Sequence, residues 1–494
     1  MDAALIARLR ADLTSADFTV DALTALWGED AAAALHRGQR VPAIRALTHV
    51  TPLSTLATVF VLGLPSTHLD SALPTLTLAG AVELGLVSPE GAPLLDVRPY
   101  SVVDARGVVS WWIASDLGEL ALGHAIAEHH VLGVGGASTT LSGLMIAATV
   151  DRALDLGTGC GIQALHAARY AKTVVATDIS QRALELARFN AALNVVDNIE
   201  FRLGSLFDPV ENELFGHIVS NPPFVITPRG SAGEPNGIPA YEYRDGGMVG
   251  DGIVEAVIRG VEARLEPGGI AQLLGNWEYG EQAGLERVAG WVSETGLDAW
   301  VVEREVQSIE LYAETWIRDG GTRPGAEFDR LYAAWLDDFA ARGVTHVGFG
   351  YVNLRRPVDG VATLRRFEHY GEPLGGSLGD HIAAVFAAHD WLRTRDDSAL
   401  ALELLTIAPD VTEHRHYWPG EEDPTVMLLR QGSGFARTVN LGTALAAVIG
   451  ACDGTLSLGA ICAAVAQLLE VDERALVAEV LPHVRELVEM GLLA

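Results

Sequence analysis

Lysine is nearly missing from this 494-residue chain: Lys172 stands alone, and arginine carries the rest of the positive charge. With 34 basic and 64 acidic side chains the formal net charge is −30. So acidic a chain stays soluble through self-repulsion. It also lacks the broad cationic surface on which sequence-independent nucleic-acid binding depends, leaving room only for a local basic patch. Cysteine is scarce as well. Cys160, Cys452 and Cys462 form no CxxC pair and no metal-ligand spacing, so an intracellular, cytoplasmic, reduced protein without a metal is expected. Long apolar runs are absent too. The most apolar stretch, Leu53 to Leu64, carries Thr and Ser and is bounded by Pro52 and Pro65. It is too short to cross a bilayer and reads as a buried helix, so no membrane partner is expected. Met1-Asp2-Ala3-Ala4 has no basic segment followed by an apolar run and reads as a helix start, not a signal peptide. There is no fixed-period repeat and no low-complexity tract.

What is present is globular. Hydrophobic residues make up 49% and charged residues 20%, enough to build cores, and the length suggests about three domains. Residues 1–115 read as mainly helical: Ala3 to Leu13, Val20 to Trp27 and Asp70 to Leu86 carry helical apolar spacing. Two short apolar runs follow, Pro93 to Val97 and Tyr100 to Val103, with Asp104-Ala105-Arg106-Gly107 as a turn signal. Helices with a small hairpin suggest a winged-helix-like domain, a class that binds nucleic acid or protein; a packing role fits equally. Residues 116–374 contain a βα-alternating block, with strand candidates at Ala153 to Leu156, Val174 to Thr177, Ile199 to Leu203, His217 to Ser220 and Ile270 to Gly275. Such alternation argues an α/β fold with a parallel sheet covered on both faces. Runs at Trp300 to Glu303 and His346 to Asn353 complete the sheet as a β-hairpin pair, with the helical segment Glu327 to Arg342 inserted between them. Residues 375–494 read as a second winged-helix-like domain. Its elements are a helix at His381 to Leu392, strands at Val411 to Tyr417, Thr425 to Leu429 and Phe435 to Val439, and helices at Ser457 to Leu469 and Asp472 to Met490. Asp472 is the expected N-cap and Gly491 the C′ residue.

The strongest chemical signal is Asp155-Leu156-Gly157-Thr158-Gly159-Cys160-Gly161, between an apolar strand and the helical pattern Ile162 to Tyr170. Glycines there permit a tight turn and close approach of a ligand to the backbone. Alone such a triplet is weak, since many strand-to-helix turns look alike. Three further strand ends strengthen it. Asp178, followed by Ile179, ends the next strand, where an acidic group can accept hydrogen bonds from a ribose diol. Gly204-Ser205-Leu206-Phe207 ends the third. Asn221-Pro222-Pro223-Phe224 ends the fourth. Four strand ends therefore gather at one edge of the sheet, where open α/β folds bind ligands.

In order and spacing these motifs resemble the class I S-adenosylmethionine (SAM)-dependent methyltransferases, and within them the NPPY/NPPF branch. The likeness is to release-factor glutamine methyltransferases (the HemK/PrmC type) and to rRNA guanine-N2 methyltransferases. Phe215 to Phe224 matches that type well, and Arg244-Asp245-Gly246-Gly247 with Gly250-Asp251-Gly252 is similar to its loop after the motif. The likeness covers roughly residues 130–356 and not the flanking blocks. It implies a Rossmann-like class I methyltransferase core with SAM as cofactor. Asp155, Gly157, Gly159 and Gly161 would hold the methionine portion, Asp178 would bind the ribose, and Ser205 and Leu206 would border the adenine; Thr158, Ile179 and Asn221 would also belong to the cofactor site. Asn221 and the carbonyl of Pro222 would hold the substrate nitrogen, with Pro223 and Phe224 completing the catalytic motif. The family often has an acidic residue where Ser205 stands, which is a departure here.

The chemistry agrees. An amide or aryl-amine nitrogen is a poor nucleophile because its lone pair is delocalised. Two acceptors, the Asn221 side-chain oxygen and the Pro222 carbonyl, would orient such a nitrogen and favour lone-pair localisation. Consecutive prolines stiffen the segment, and Phe224 offers a flat face for stacking. Proximity and orientation can supply up to ~7–11 kcal/mol of a barrier in favourable cases. Neither a metal nor a covalent enzyme intermediate is needed. The expected partner is a protein, release-factor-like, or an RNA whose base must leave its stack. The alternative is a non-catalytic scaffold that binds protein or nucleic acid through its flanking domains. Other features read more simply. Gly133 to Thr140 is a glycine-rich loop with no lysine to make a Walker motif. His129-His130 and His414/His416 lack the partners of a metal site. Trp111-Trp112 reads as packing, and Tyr241 to Arg244 as a segment that can line a substrate cleft.

Overall fold

The computed structural model describes all residues except 1, 105–106, 123–128, 229–245 and 377. The chain divides into two compact units: Met1–Ser142 with Ala148–Gly371, and Gly143–Ala147 with Glu372–Ala494.

The first unit is organised by an eight-stranded sheet. Strands β1 (Leu95–Asp104) and β2 (Gly107–Asp116) form a separate ribbon; β3 (Val150–Leu156), β4 (Ala171–Asp178), β5 (Ile199–Leu203), β6 (Phe215–Ser220), β7 (Leu265–Tyr279), β8 (Asp298–Ser308), β9 (His346–Arg355) and β10 (Arg365–His369) form the sheet, in the order β10-β8-β9-β7-β6-β3-β4-β5. The β3–β4, β4–β5, β3–β6 and β6–β7 pairs are parallel, as the βα alternation predicts. β9 runs antiparallel between β7 and β8. The expected hairpin pair is therefore present, but its connection carries two helices, Ile309–Asp319 and Ala326–Arg342. This is a Rossmann-like α/β core. The sheet's interior holds a satisfied polar ladder: His217 Nε2 lies 3.1 Å from Gln272 Oε1, and Gln272 Nε2 donates to Asn353 Oδ1 at 2.9 Å. Burial pushes the His217 pKa down to about 4, so this ring stays neutral near pH 7.

The helix Gln181–Leu193 begins at Ser180, whose side chain caps the Ala183 N–H, and buries Leu186, Phe189 and Leu193. Those residues share a core with Leu5, Leu9 and Leu13 of the first helix and with Phe18 in the turn that follows it. Each such fully buried side chain contributes ~1.5–3 kcal/mol before entropy is subtracted.

Three local expectations change. Leu95 to Val97 of the first run and all of Tyr100 to Val103 lie on one strand, β1, while Pro93 bridges Val87; the true partner of β1 is β2 across the turn at Asp104 and Gly107. Pro99 pairs with Trp112, whose N–H and C=O point away from β1 to the Asn194 side chain at 2.9 and 2.8 Å. Pro99 thus sits at a non-hydrogen-bonded position, where its missing N–H costs nothing. The helix expected over Asp70 to Leu86 is two, Leu69–Ala72 and Thr77–Glu83. Pro74 disfavours helix in the residue before it, and the Asp12 carboxylate accepts the freed N–H groups of Thr75 and Leu76, the latter at 2.8 Å. Finally, the Gly133 to Thr140 stretch is loop only to Gly135; a helix runs over Gly136–Leu144.

The second unit packs the helix Leu378–Arg393 and the helices Thr443–Gly450, Leu458–Leu469 and Glu473–Glu489 with a three-stranded antiparallel sheet, β11 (Val411–His416), β12 (Val426–Gln431) and β13 (Thr438–Leu441). Leu445, Ile449, Ile461, Val480 and Val484 lie in its core. Asp472 caps the last helix through the Ala475 N–H at 2.9 Å, and Gly491 follows it at φ 73°. No described helix is long and apolar enough to cross a membrane.

Candidate active site at the carboxyl edge of the sheet

Register brings the sequence motifs to one level. Leu156 is opposite Thr177 on one side and Ser220 on the other, and Asp178 is opposite Leu203. The residues that follow, Gly157, Gly204 and Asn221, therefore leave neighbouring strands at the same edge, beside Asp178. Ser220 Oγ locks two of these ends by donating to the Leu156 carbonyl at 2.8 Å. Gly157 and Thr158 N–H groups both donate to the Thr177 carbonyl, at 3.0 and 2.9 Å.

Asp155 is buried at the root of the turn. It accepts a 2.6 Å hydrogen bond from Thr158 Oγ1, itself buried. Burial pushes its pKa up to about 7; the Thr158 hydroxyl works against that, and the nearby Asp178 carboxylate adds to it. Asp178 has its oxygens divided between two backbone donors: Gly159 N–H at 2.9 Å and Ser180 N–H at 2.8 Å. Gly159 has φ 54°, and a Cβ placed on it or on Gly157 meets nothing within 4 Å. The turn is thus lined by bare backbone facing open space, the cradle a ligand needs. Gly161 serves packing instead. Its φ is 88°, and a Cβ there would lie 3.1 Å from the Ala187 Cα. Ile179 is 66% exposed, an uncovered apolar side chain directly after Asp178. Beyond β5, Ser205 is exposed and Leu206 packs partly on the core at φ 45°.

Asn221 is half-buried, and Pro222 is buried. Asn221 Oδ1 is shielded from solvent and accepts no hydrogen bond from any described residue. Phe224 lies edge-on to Trp316, ring centroids 6.5 Å apart. Val225 and Ile226 sink into a cluster with Tyr312, Trp335 and Phe339.

Several groups go elsewhere. Asp251 is turned inward, accepting from the Glu278 N–H at 2.9 Å and pairing with Arg287 at 2.7 Å. Tyr241 to Arg244 and Asp245 lie outside the described residues. Trp112 Nε1 donates to the Phe18 carbonyl, and Trp111 stacks on Tyr100, so this pair packs the ribbon. His414 and His416 sit exposed on β11. No group of three metal-ligating side chains occurs among the described residues.

Sequence reasoning missed three contributors. Asn190 is fully buried and holds the glycine-rich turn through the Cys160 carbonyl at 2.8 Å. Its signal is faint: an amide on the buried face of an amphipathic helix, four residues before Asn194. Tyr312 and Trp316, also four apart, belong to the helix between β8 and β9 that the pattern did not reveal.

Residues 134–231 match the family model of the methyltransferase small domain. Residues 15–99 and 383–494 each match a domain of unknown function. Similar proteins include a release factor glutamine methyltransferase of Aliivibrio fischeri, 47% identical over 75 residues, covering 15% of this chain and 26% of its own. One from Deinococcus radiodurans is 36% identical over 165 residues, covering 32% and 57%. A ribosomal protein uL3 glutamine methyltransferase of Bradyrhizobium diazoefficiens is 35% identical over 125 residues, covering 24% and 39%. The chain thus spans 26% to 57% of the length of these relatives. Solved structures resembling it include the YcgJ protein of Bacillus subtilis (14% identity, TM-score 0.30, 45% of this chain and 98% of that one). Another is the T. thermophilus 16S rRNA N2 G1207 methyltransferase with AdoMet and guanosine (17%, 0.27, 42% and 48%).

Proposed function

We propose that this protein is a SAM-dependent N-methyltransferase that modifies the side-chain amide nitrogen of a glutamine in a protein. The observation that carries this reading is Asn221 Oδ1, a shielded acceptor to which no described residue donates, at the end of β6. A buried acceptor left open costs stability, so its retention fits a role in accepting a donor from outside. The residues around it fit the cofactor. Bare backbone at Gly157 and Gly159 leaves room for it, Asp155 and Asp178 offer carboxylates to its charged and hydroxyl groups, and exposed Ile179 offers a surface for the base. SAM, when bound there, supplies a methyl group on a positively charged sulfur.

The chain's own part is to hold the acceptor nitrogen. Asn221 Oδ1 takes one N–H of the substrate amide and the Pro222 carbonyl takes the other. With both held, the lone pair is directed at the methyl donor instead of into the amide π-system. Pro222 and Pro223 fix the backbone that carries the two acceptors, and Phe224, held in a T-shaped pair with Trp316, is the aromatic ring on which the flat amide would stack. The names of the relatives, glutamine methyltransferases of release factors and of a ribosomal protein, support glutamine over a nucleobase, and so does the net charge of −30.

The test is transfer of labelled methyl from SAM into fractionated extract, with nuclease and protease controls. Label that survives nuclease and is lost with protease supports the proposal; label in RNA, or at carbon or oxygen, refutes it. Asn221→Ala should abolish transfer while SAM still binds. A native protein that binds no SAM would end the reading.

A further inference from the structure

We propose that Tyr312, on the helix Ile309–Asp319, is a positioning residue for the Asn-Pro-Pro-Phe segment. The proposal rests on the methyl-transfer reading above.

The two prolines stiffen the segment, but stiffness alone does not fix its place; something must hold its far end. That end is Ile226, two residues past Phe224, and its N–H donates to Tyr312 Oη at 2.9 Å. The same oxygen accepts Asn276 Nδ2 at 3.0 Å. Asn276 lies on β7, the strand beside β6, so one hydroxyl joins the departing segment to the neighbouring strand. Tyr312 and Asn276 are both fully buried. The Tyr312 ring cannot drift: Phe349 stacks on it with centroids 5.6 Å apart, and Phe339 meets it edge-on at 5.9 Å. One helical turn further, Trp316 contacts Phe224. The inserted helix therefore holds the motif twice, by the backbone at Ile226 and by the ring at Phe224. Shifts of about 1 Å in such supports can cost a hundredfold in rate, and Tyr312, fully buried, has no surface to offer a bound molecule. Its effect passes through Ile226.

The experiment compares native protein with Tyr312→Phe, which keeps the ring and deletes the hydroxyl. Tritiated SAM and purified unmethylated release factor serve as probes, and hydrogen exchange follows the Ile226 amide. With the clamp lost, kcat should fall about 10- to 100-fold, while the Kd for SAM and the KM for release factor stay close to native. The Ile226 amide should exchange about tenfold faster, the cost of one buried donor left unpaired. Asn276→Ala, which removes the second partner of the hydroxyl, should move kcat the same way by less, and serves if Tyr312→Phe does not fold. Unchanged kcat, or kcat and SAM affinity lost in parallel, overturns the proposal. If native protein methylates neither release factor nor any extract protein, the methyl-transfer reading fails. Exchange at Ile226 then decides the clamp, and unaltered exchange overturns it.

Discussion

Asn190 Nδ2 donates to the carbonyl of Cys160 at 2.8 Å, so a helix side chain holds the back of the glycine-rich turn. The same amide exchanges hydrogen bonds with both backbone groups of Ala114 on β2, at 2.7 and 2.9 Å. One buried side chain thus ties the amino-terminal ribbon to the turn that faces the proposed cofactor. Asn190→Ala leaves the Ala114 N–H and two carbonyls unpaired in the core. It should cost about 2–4 kcal/mol, read as a lower urea midpoint, and should weaken SAM binding through disorder of the turn. Undiminished SAM affinity in a folded variant would show that the turn stands without this support.

The four strand ends were legible because each closes an apolar run with a residue of distinct chemistry: Gly157, Asp178, Gly204 and Asn221. Period and punctuation are local, and sequence reading recovers them. The supports were not legible. Ile226 and Tyr312 are 86 positions apart, as Asn190 and Ala114 are 76 apart, and nothing near any of them in sequence announces the partner. That the two apolar runs before Asp104 join into one strand was hidden for a related reason: only the pairing with β2 shows that the missing N–H of Pro99, between them, faces no acceptor.

Asn221→Ala should separate stability from function. The native side chain keeps a shielded acceptor open, and removing it removes that cost, worth about 1–3 kcal/mol. The variant should unfold at the same or a higher temperature, yet lose methyl transfer by at least about a hundredfold, the scale of removing one preorganised polar group from a reacting centre. A lower melting temperature would mean that Asn221 has a structural partner in the folded chain.

Gly159→Ala and Gly161→Ala should fail differently. At Gly159 the methyl enters open space, and the strain of φ 54° alone is felt, about 1 kcal/mol. SAM affinity should fall far more than stability, because the methyl occupies the cradle. At Gly161 the methyl would press on Ala187 at 3.1 Å with φ 88°, and overpacking of this kind costs about 1–3 kcal/mol beyond the strain. Here the melting temperature should drop first. Calorimetry and SAM titration on both variants check the contrast.

Asp155 gives the site a pH dependence whose direction follows from its burial. Its pKa stands near 7 in the folded protein against an ordinary 3.8. Below pH 3.8 both folded and unfolded chains hold the proton, and burial carries no electrostatic penalty. As the pH rises from 3.8 towards 7 the unfolded chain releases the proton first, so stability falls across that window and levels off above it. Asp155→Asn carries no such penalty. Its melting temperature should match the native protein near pH 3.5, begin to exceed it as the pH rises through the window, and exceed it by about 3 °C or more at pH 8. Binding runs the other way. SAM is cationic, and the ionised carboxylate attracts it, so native affinity should rise as the pH passes from 6 to 8 while that of Asp155→Asn stays flat. A native affinity that is flat over the same range would place the cation of SAM away from Asp155.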